Sequence, residues 1–385
     1  MFEEFVAFVR ALYQARPDEV IPLHAPRFRG NEQQYLADCV NSTYVSSVGE
    51  YVNRFEQMIA EVTGARFAMA TVSGTSALHV ALRAVGVQPG DLVITQSLTF
   101  VATGNAIRYQ GADPLFVDID ERTLGLSAAK LETFLTKETN RDGQGNCIHR
   151  ASGKRIAACV PMHTFGHPVE IDAIAAICQE CRVPLVEDAA ESLGSYFKGK
   201  HTGTFGTAGV FSFNGNKIIT AGGGGAVVTD DEALATKVRH LTTQARVPHA
   251  WAYTHDKIGY NYRMPSLNAA LACAQLEQLP TFLKRKRAIA EAYRKQIEGM
   301  GGQFFQEPPA AQSNYWLNTI LLNDQRERDE FLQYTNERGV TTRPVWSPLH
   351  QLPMFENCAK TDLTVTERLA DRLVNVPSSA GTTRE

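Results

Sequence analysis

The sequence has no run of about 18 apolar residues, the length a helix needs to cross a bilayer. Its first twenty residues, MFEEFVAFVRALYQARPDEV, carry acids at positions 3 and 4 and no uninterrupted apolar core, so they do not read as a signal peptide. A long Lys/Arg run is also missing. The 38 Lys and Arg residues are set against 41 Asp and Glu, a formal net charge of −3, which argues against a nucleic-acid or anionic-membrane surface. The seven cysteines are an odd number, scattered along 385 residues, and read as reduced thiols of a cytoplasmic protein. Cys178 and Cys181 form a C-x-x-C pair, but no second Cys or His pair follows at zinc spacing. Both are expected on a helix facing a core, and no metal is expected. Internal repeats and low-complexity tracts are absent.

What is present is an ordinary globular composition, 44% hydrophobic and 21% charged, in a chain long enough for two domains. From about residue 50, helical periods alternate with short β-branched runs. EYVNRFEQMIAEVTG leads to RFAMATV, then TSALHVALRAVG, DLVITQS, FVATGNAIRYQG and DPLFVDID. RIAACVPMH, PLVEDAA, GVFSFN and GAVVTDD continue the strands. Strands separated by helices of this length predict a doubly wound α/β domain with a mostly parallel sheet. The polar stretch ETNRDGQGNCIHRASGKR interrupts the alternation as a loop or hairpin. A long amphipathic helix capped by Ser266 and bent at Pro280 then opens a smaller α+β unit. The expected division is residues 1–255, a large domain that includes the N-terminal helical segment, and residues 256–385, a small C-terminal domain.

Ligands of open α/β sheets sit beyond the carboxyl ends of the strands, so residues just after predicted strands are read together. SGTSAL, Ser73 to Leu78, opens a helix with small residues and the Thr75 and Ser76 hydroxyls, a cup for a phosphate or simply a helix cap. Asp188 ends an apolar strand, either to pair with a protonated ring nitrogen or to cap the next helix. Phe100 is placed to stack on a flat ring or to fill a core. Lys217 lies between FSFNGN and AGGGG; a lysine confined away from water sheds its proton more readily and can form a Schiff base, whereas on a surface it is only a solvated cation. Phosphate cup, stacking ring, buried acid and confined lysine together are the parts that bind pyridoxal 5'-phosphate (PLP).

Eight stretches in order, SGTSALHVAL, LTFVATGNAI, PMHTFGHPVEID, VEDAAESLGSYFKGKHTGTFG, FSFNGNKIITAGGGGAVVTDD, IGYNYRMPSLNAALACAQLEQL, RPVWSPLHQLPMF and LVNVPSSAG, resemble the DegT/StrS family of nucleotide-sugar aminotransferases over almost the whole chain. IPLHAPRFRGNEQQYLADCVNSTYVSSVGEYVNRFE is most similar to the branch associated with legionaminic acid and related 4-amino-4,6-dideoxy sugars. The resemblance implies the PLP-dependent transferase fold type I and a homodimer with shared active sites. It implies that Lys217 binds PLP covalently and shuttles the proton, and that Asp188 keeps the pyridine nitrogen protonated. Gly74, Thr75, Ser76 and Ser212 would hold the phosphate, with Asn261 reaching across from the neighbouring subunit, and Phe100 would stack on the ring. Glu191 stands where many relatives have Gln or His near the cofactor's ring oxygen, and AGGGG replaces the commoner TGEGG. His350 is a candidate for sugar contact, and His163 and His167 are read as structural.

The expected reaction is a ping-pong transamination from L-glutamate to a nucleotide-linked keto sugar, a UDP-linked 4-keto-6-deoxy-N-acetylhexosamine, for surface glycans. Two alternatives stand beside it. Dehydratase relatives carry His in place of the lysine, whereas this chain keeps Lys217. A non-catalytic PLP-binding regulator of DNA would need a basic surface or an added domain.

Overall fold

A computed structural model describes residues 2–381. Its large sheet contains β1 (Phe67–Thr71), β2 (Leu92–Thr95), β3 (Asp113–Phe116), β4 (Ile156–Val160), β5 (Val186–Asp188), β6 (Ala208–Ser212) and β7 (Gly225–Thr229). The order is β3-β2-β4 on one side and β5-β6-β7-β1 on the other. Parallel bridges from Cys159 to Leu185 and from Met162 to Asp188 join the halves into one sheet. The pairings within each half are parallel except that β7 runs antiparallel to both β6 and β1. The mostly parallel α/β domain expected from the alternation is therefore formed.

Both faces are covered, which is why the strands read as apolar runs rather than alternating ones. Val93, Val210 and Val227 pack under helices 74–85 and 232–242. Their chain neighbours Phe211, Ala226 and Val228 point the other way, toward helices 50–63 and 266–276. The interrupting polar stretch forms a hairpin, Thr139–Arg141 against Cys147–His149.

The C-terminal part builds a second, antiparallel sheet from β8 (Gln303–Phe304), β9 (Asn318–Leu321), β10 (Arg343–Pro344) and β11 (Leu373–Val376), in the order β8-β9-β11-β10. Helix Phe2–Tyr13, grouped with residues 1–255 by sequence position, packs its apolar stripe here. Phe5, Val9 and Tyr13 share a core with Tyr293, Ile320, Phe331 and Val374. A short amphipathic helix buries its stripe wherever an apolar surface is open, and chain order does not decide where that is.

The single bent helix expected from Ser266 is instead two, Ser266–Leu276 and Leu279–Gly299. Pro280 sits in the first turn of the second helix, where its missing N–H costs no hydrogen bond. Ser266 is not the cap, since Pro265 holds that position. All seven cysteines are free thiols; Cys178 is buried as expected, while Cys181 at the end of its helix is half-exposed. Among the described residues no helix is long and apolar enough to cross a membrane.

Candidate active site

Four strand ends converge on a cavity of about 300 Å³. β1 leads to Ser73, Gly74 and Thr75; the loop after β2 supplies Phe100; β5 ends in Asp188, followed by Ala190 and Glu191; β6 ends in Ser212, followed by Asn214, Asn216 and Lys217. These lie at the carboxyl ends of parallel strands, where an open sheet leaves a crevice. The C-terminal part contributes Trp316 and Trp346.

At the cup, Ser73 is extended and its Oγ accepts the Ser76 N–H at 3.1 Å, capping helix 74–85, whose first turn has no acid to repel an anion. A Cβ on Gly74 would lie 2.7 Å from the Ser212 Cβ, so only glycine lets the helix start lie against the end of β6. The Ser76 hydroxyl lies 2.9 Å from Ser73 Oγ, within the cap. Gly74, Thr75 and Ser212 are thus on the cavity wall, and Ser76 is behind it.

Asp188 is buried, with Oδ2 accepting the Thr103 hydroxyl at 2.7 Å and Oδ1 the Ala190 N–H at 3.2 Å. Both partners are neutral. Burial holds its carboxyl above the ordinary carboxylate range, while Thr103, Ala190 and the Lys217 charge pull it back. Opposite it, the Lys217 ammonium lies 3.0 Å from Glu191 Oε1 and 4.1 Å from the centroid of the Trp316 ring. Burial pushes the Glu191 carboxyl up to about 7, opposed by the Lys217 charge, while its Oε2 accepts the Phe165 N–H at 2.9 Å.

These residues fit PLP. A glycine-tight helix start suits the phosphate, and a buried acid with only neutral partners suits a protonated ring nitrogen. A lysine held on the same cavity suits the aldehyde. Phe100 is about half exposed at the mouth, its ring 6.0 Å from that of Trp346.

Besides Ser76, His350 is not on this wall, and neither is Asn261, which was expected to reach a neighbouring subunit. Asn261 is exposed and bridges Thr243. His350 is buried away from the cavity, its Nδ1 2.7 Å from Ser97 Oγ and its Nε2 3.1 Å from Glu367 Oε1. His163 is buried against Glu187 at 3.1 Å, and His167 is buried between Phe305 and Tyr315. Sequence reading passed over Trp316, Trp346, Met162, Asn214 and Asn216, all on the wall. The one available signal was rarity, because the chain has only three tryptophans and two of them are here.

Known proteins resemble this chain over nearly its whole length. GDP-perosamine synthase of Escherichia coli O157:H7 is 38% identical over 358 residues, 93% of each chain. The putative pyridoxal phosphate-dependent aminotransferase EpsN of Bacillus subtilis is 39% identical over 370 residues, 95% of this chain and 92% of its own. The crystal structure of DesI in the presence of its TDP-sugar product superposes with a TM-score of 0.82 at 28% identity, covering 97% of this chain and 91% of that one. The profile of the DegT/DnrJ/EryC1/StrS aminotransferase family matches residues 26–385, and the chain belongs to that family.

Proposed function

We propose that this protein is a PLP-dependent transaminase that moves an amino group from L-glutamate to a nucleotide-linked keto sugar. The observation that carries the reading is one cavity bearing the Lys217 ammonium, the buried Asp188 carboxylate and the Gly74 cup together. Bound PLP supplies an electron sink for the charge left when a proton leaves the amine-bearing carbon. Asp188 would keep the proton on the ring nitrogen, and its burial would make that bond strong. Gly74, Thr75 and Ser212 would hold the phosphate, and Phe100 would cover the ring. Lys217 would hold the cofactor and, once freed by the incoming amine, would take up and return a proton at Nζ. Trp316 and Trp346 keep water from that proton.

The sugar follows from likeness rather than geometry. The legionaminic-type resemblance supports a UDP-linked 4-keto-6-deoxy-N-acetylhexosamine, and the name of the Escherichia coli relative favours a GDP-linked sugar as a second reading. Two copies are proposed to share the sites, with Asn261 reaching its partner. The exposed Trp251, Tyr253 and Ile258, 77% or more accessible, support a covered surface nearby.

The test is a visible spectrum of wild type and Lys217→Ala with added PLP, before and after L-glutamate, followed by UDP-, GDP- and TDP-linked keto sugars assayed by mass spectrometry. A lysine-dependent band bleached by glutamate, and amination of a 4-keto sugar, are expected. A band that glutamate leaves unchanged would overturn the donor, and amination of 3-keto sugars alone would overturn the acceptor.

A further inference from the structure

Glu191 is held on three sides. Its Oε1 accepts Lys217 Nζ at 3.0 Å, its Oε2 accepts the Phe165 N–H at 2.9 Å, and its carbonyl accepts Asn314 Nδ2 at 2.8 Å. Phe165 has φ 57° and ψ 14°, a left-handed conformation that a bulky residue keeps only where its surroundings enforce it. Its buried ring packs 5.0 Å from Trp346. The next residue must be glycine, since a Cβ on Gly166 would lie 1.9 Å from Asn314 Oδ1. That same Oδ1 accepts the Trp316 backbone N–H at 2.8 Å, and the indole N–H donates to the Asn216 carbonyl at 2.7 Å, so one network ties the Glu191 backbone to the residue whose ring lies over Lys217.

An ammonium cannot bond to carbon until it loses a proton, and the lysine side chain is 11% exposed. Glu191 is the base in hydrogen-bond contact with it, and burial has pushed that carboxyl up to about 7, near the pH of most cells' interiors. Asp188, on the same loop, adds negative charge that favours a protonated Glu191, and His163 tempers Asp188. On the other side lie Lys286, which donates to the Trp316 and Ser378 carbonyls at 2.9 and 2.7 Å, and His24, kept neutral by burial and by the Lys286 and Lys217 charges.

We propose that Glu191 is a catalytic residue that takes the proton Lys217 sheds when it binds the cofactor and returns it on release, with Phe165 as the positioning residue that aims it. One N–H bond breaks, its electron pair stays on Nζ, and one O–H bond forms at Oε1. The ion pair becomes a neutral pair, and nothing is oxidised. The inference rests on the PLP reading above.

Proton release on PLP binding, measured by titration calorimetry in buffers of different ionisation enthalpy, tests it. Glu191→Gln is expected to release about one more proton per site than wild type. In wild type labelled with 13C-glutamate, infrared difference spectra are expected to gain an isotope-shifted protonated-carboxyl band when PLP is added. That second measurement decides alone if the variant does not fold. Equal proton counts, or no such band, overturn the proposal. A wild type that forms no visible PLP band overturns the cofactor reading instead.

Discussion

Thr103, in the first turn of helix Val101–Tyr109, donates its hydroxyl to Oδ2 of Asp188, at the end of β5, at 2.7 Å. The bond leaves the carboxylate oriented in a buried place where burial favours the neutral acid. Thr103→Val removes the donor while keeping the shape. A bond to a charged acceptor contributes about 2 kcal/mol, so PLP affinity is expected to fall roughly thirtyfold. An absorbance titration with PLP checks it, and unchanged affinity would mean Thr103 does not serve the acid.

The raised Glu191 carboxyl sets a pH dependence in the cofactor-free protein. The native state holds this proton more tightly than the unfolded chain, from 4.5 up to about 7. The stability it contributes is therefore fully present below about 4.5 and lost as pH rises through about 7. Glu191→Gln lacks this loss. Its melting temperature, relative to wild type, should climb across that window and level off above it, by no more than about 3 kcal/mol in free energy. Melts at a series of pH values give the slope, and a fall instead of a climb would mean that the Lys217 charge outweighs burial.

Gly74→Ala places a methyl group 2.7 Å from the Ser212 Cβ and 3.3 Å from its Cα. The helix start must move off β6, which opens the cup. PLP affinity should drop at least about tenfold while far-UV circular dichroism is retained, since the displaced group lies at one end of the helix. Wild-type affinity would show that the cup is not where the phosphate binds.

His350 links the turn at Leu349–Gln351 to Ser97 and to Glu367. His350→Ala leaves the buried Ser97 hydroxyl short of a partner and should cost about 1–3 kcal/mol in urea unfolding. The Michaelis constant for the sugar should stay at the wild-type value. A raised Michaelis constant without lost stability would return His350 to the list of sugar contacts.

The strand-end residues were legible because their signals are local. An apolar run that ends in Asp188, or one followed by SGTSAL, marks a strand meeting a loop, and strands that run in one direction bring such loops to one edge of the sheet. Local reading also has limits of the same origin. Ser76 has the hydroxyl a phosphate would want, yet the helix cap takes it, 2.9 Å from Ser73 Oγ. Ser266 looked like a cap, but its neighbour's backbone holds that position.

The amino-acid sequence by itself determined the α/β alternation and the placing of Gly74, Asp188 and Lys217 just beyond strand ends, because each is written within a few residues of one. Only the tertiary structure decided that Trp316 and Trp346 line the cavity, that helix Phe2–Tyr13 packs on the C-terminal sheet, and that His350 is bonded to Ser97 and Glu367 off the cavity wall. It also decided that Asn314 ties Glu191 to Trp316. Those contacts join segments far apart in the chain, and their partners are chosen by shape and buried area rather than by any neighbouring residue.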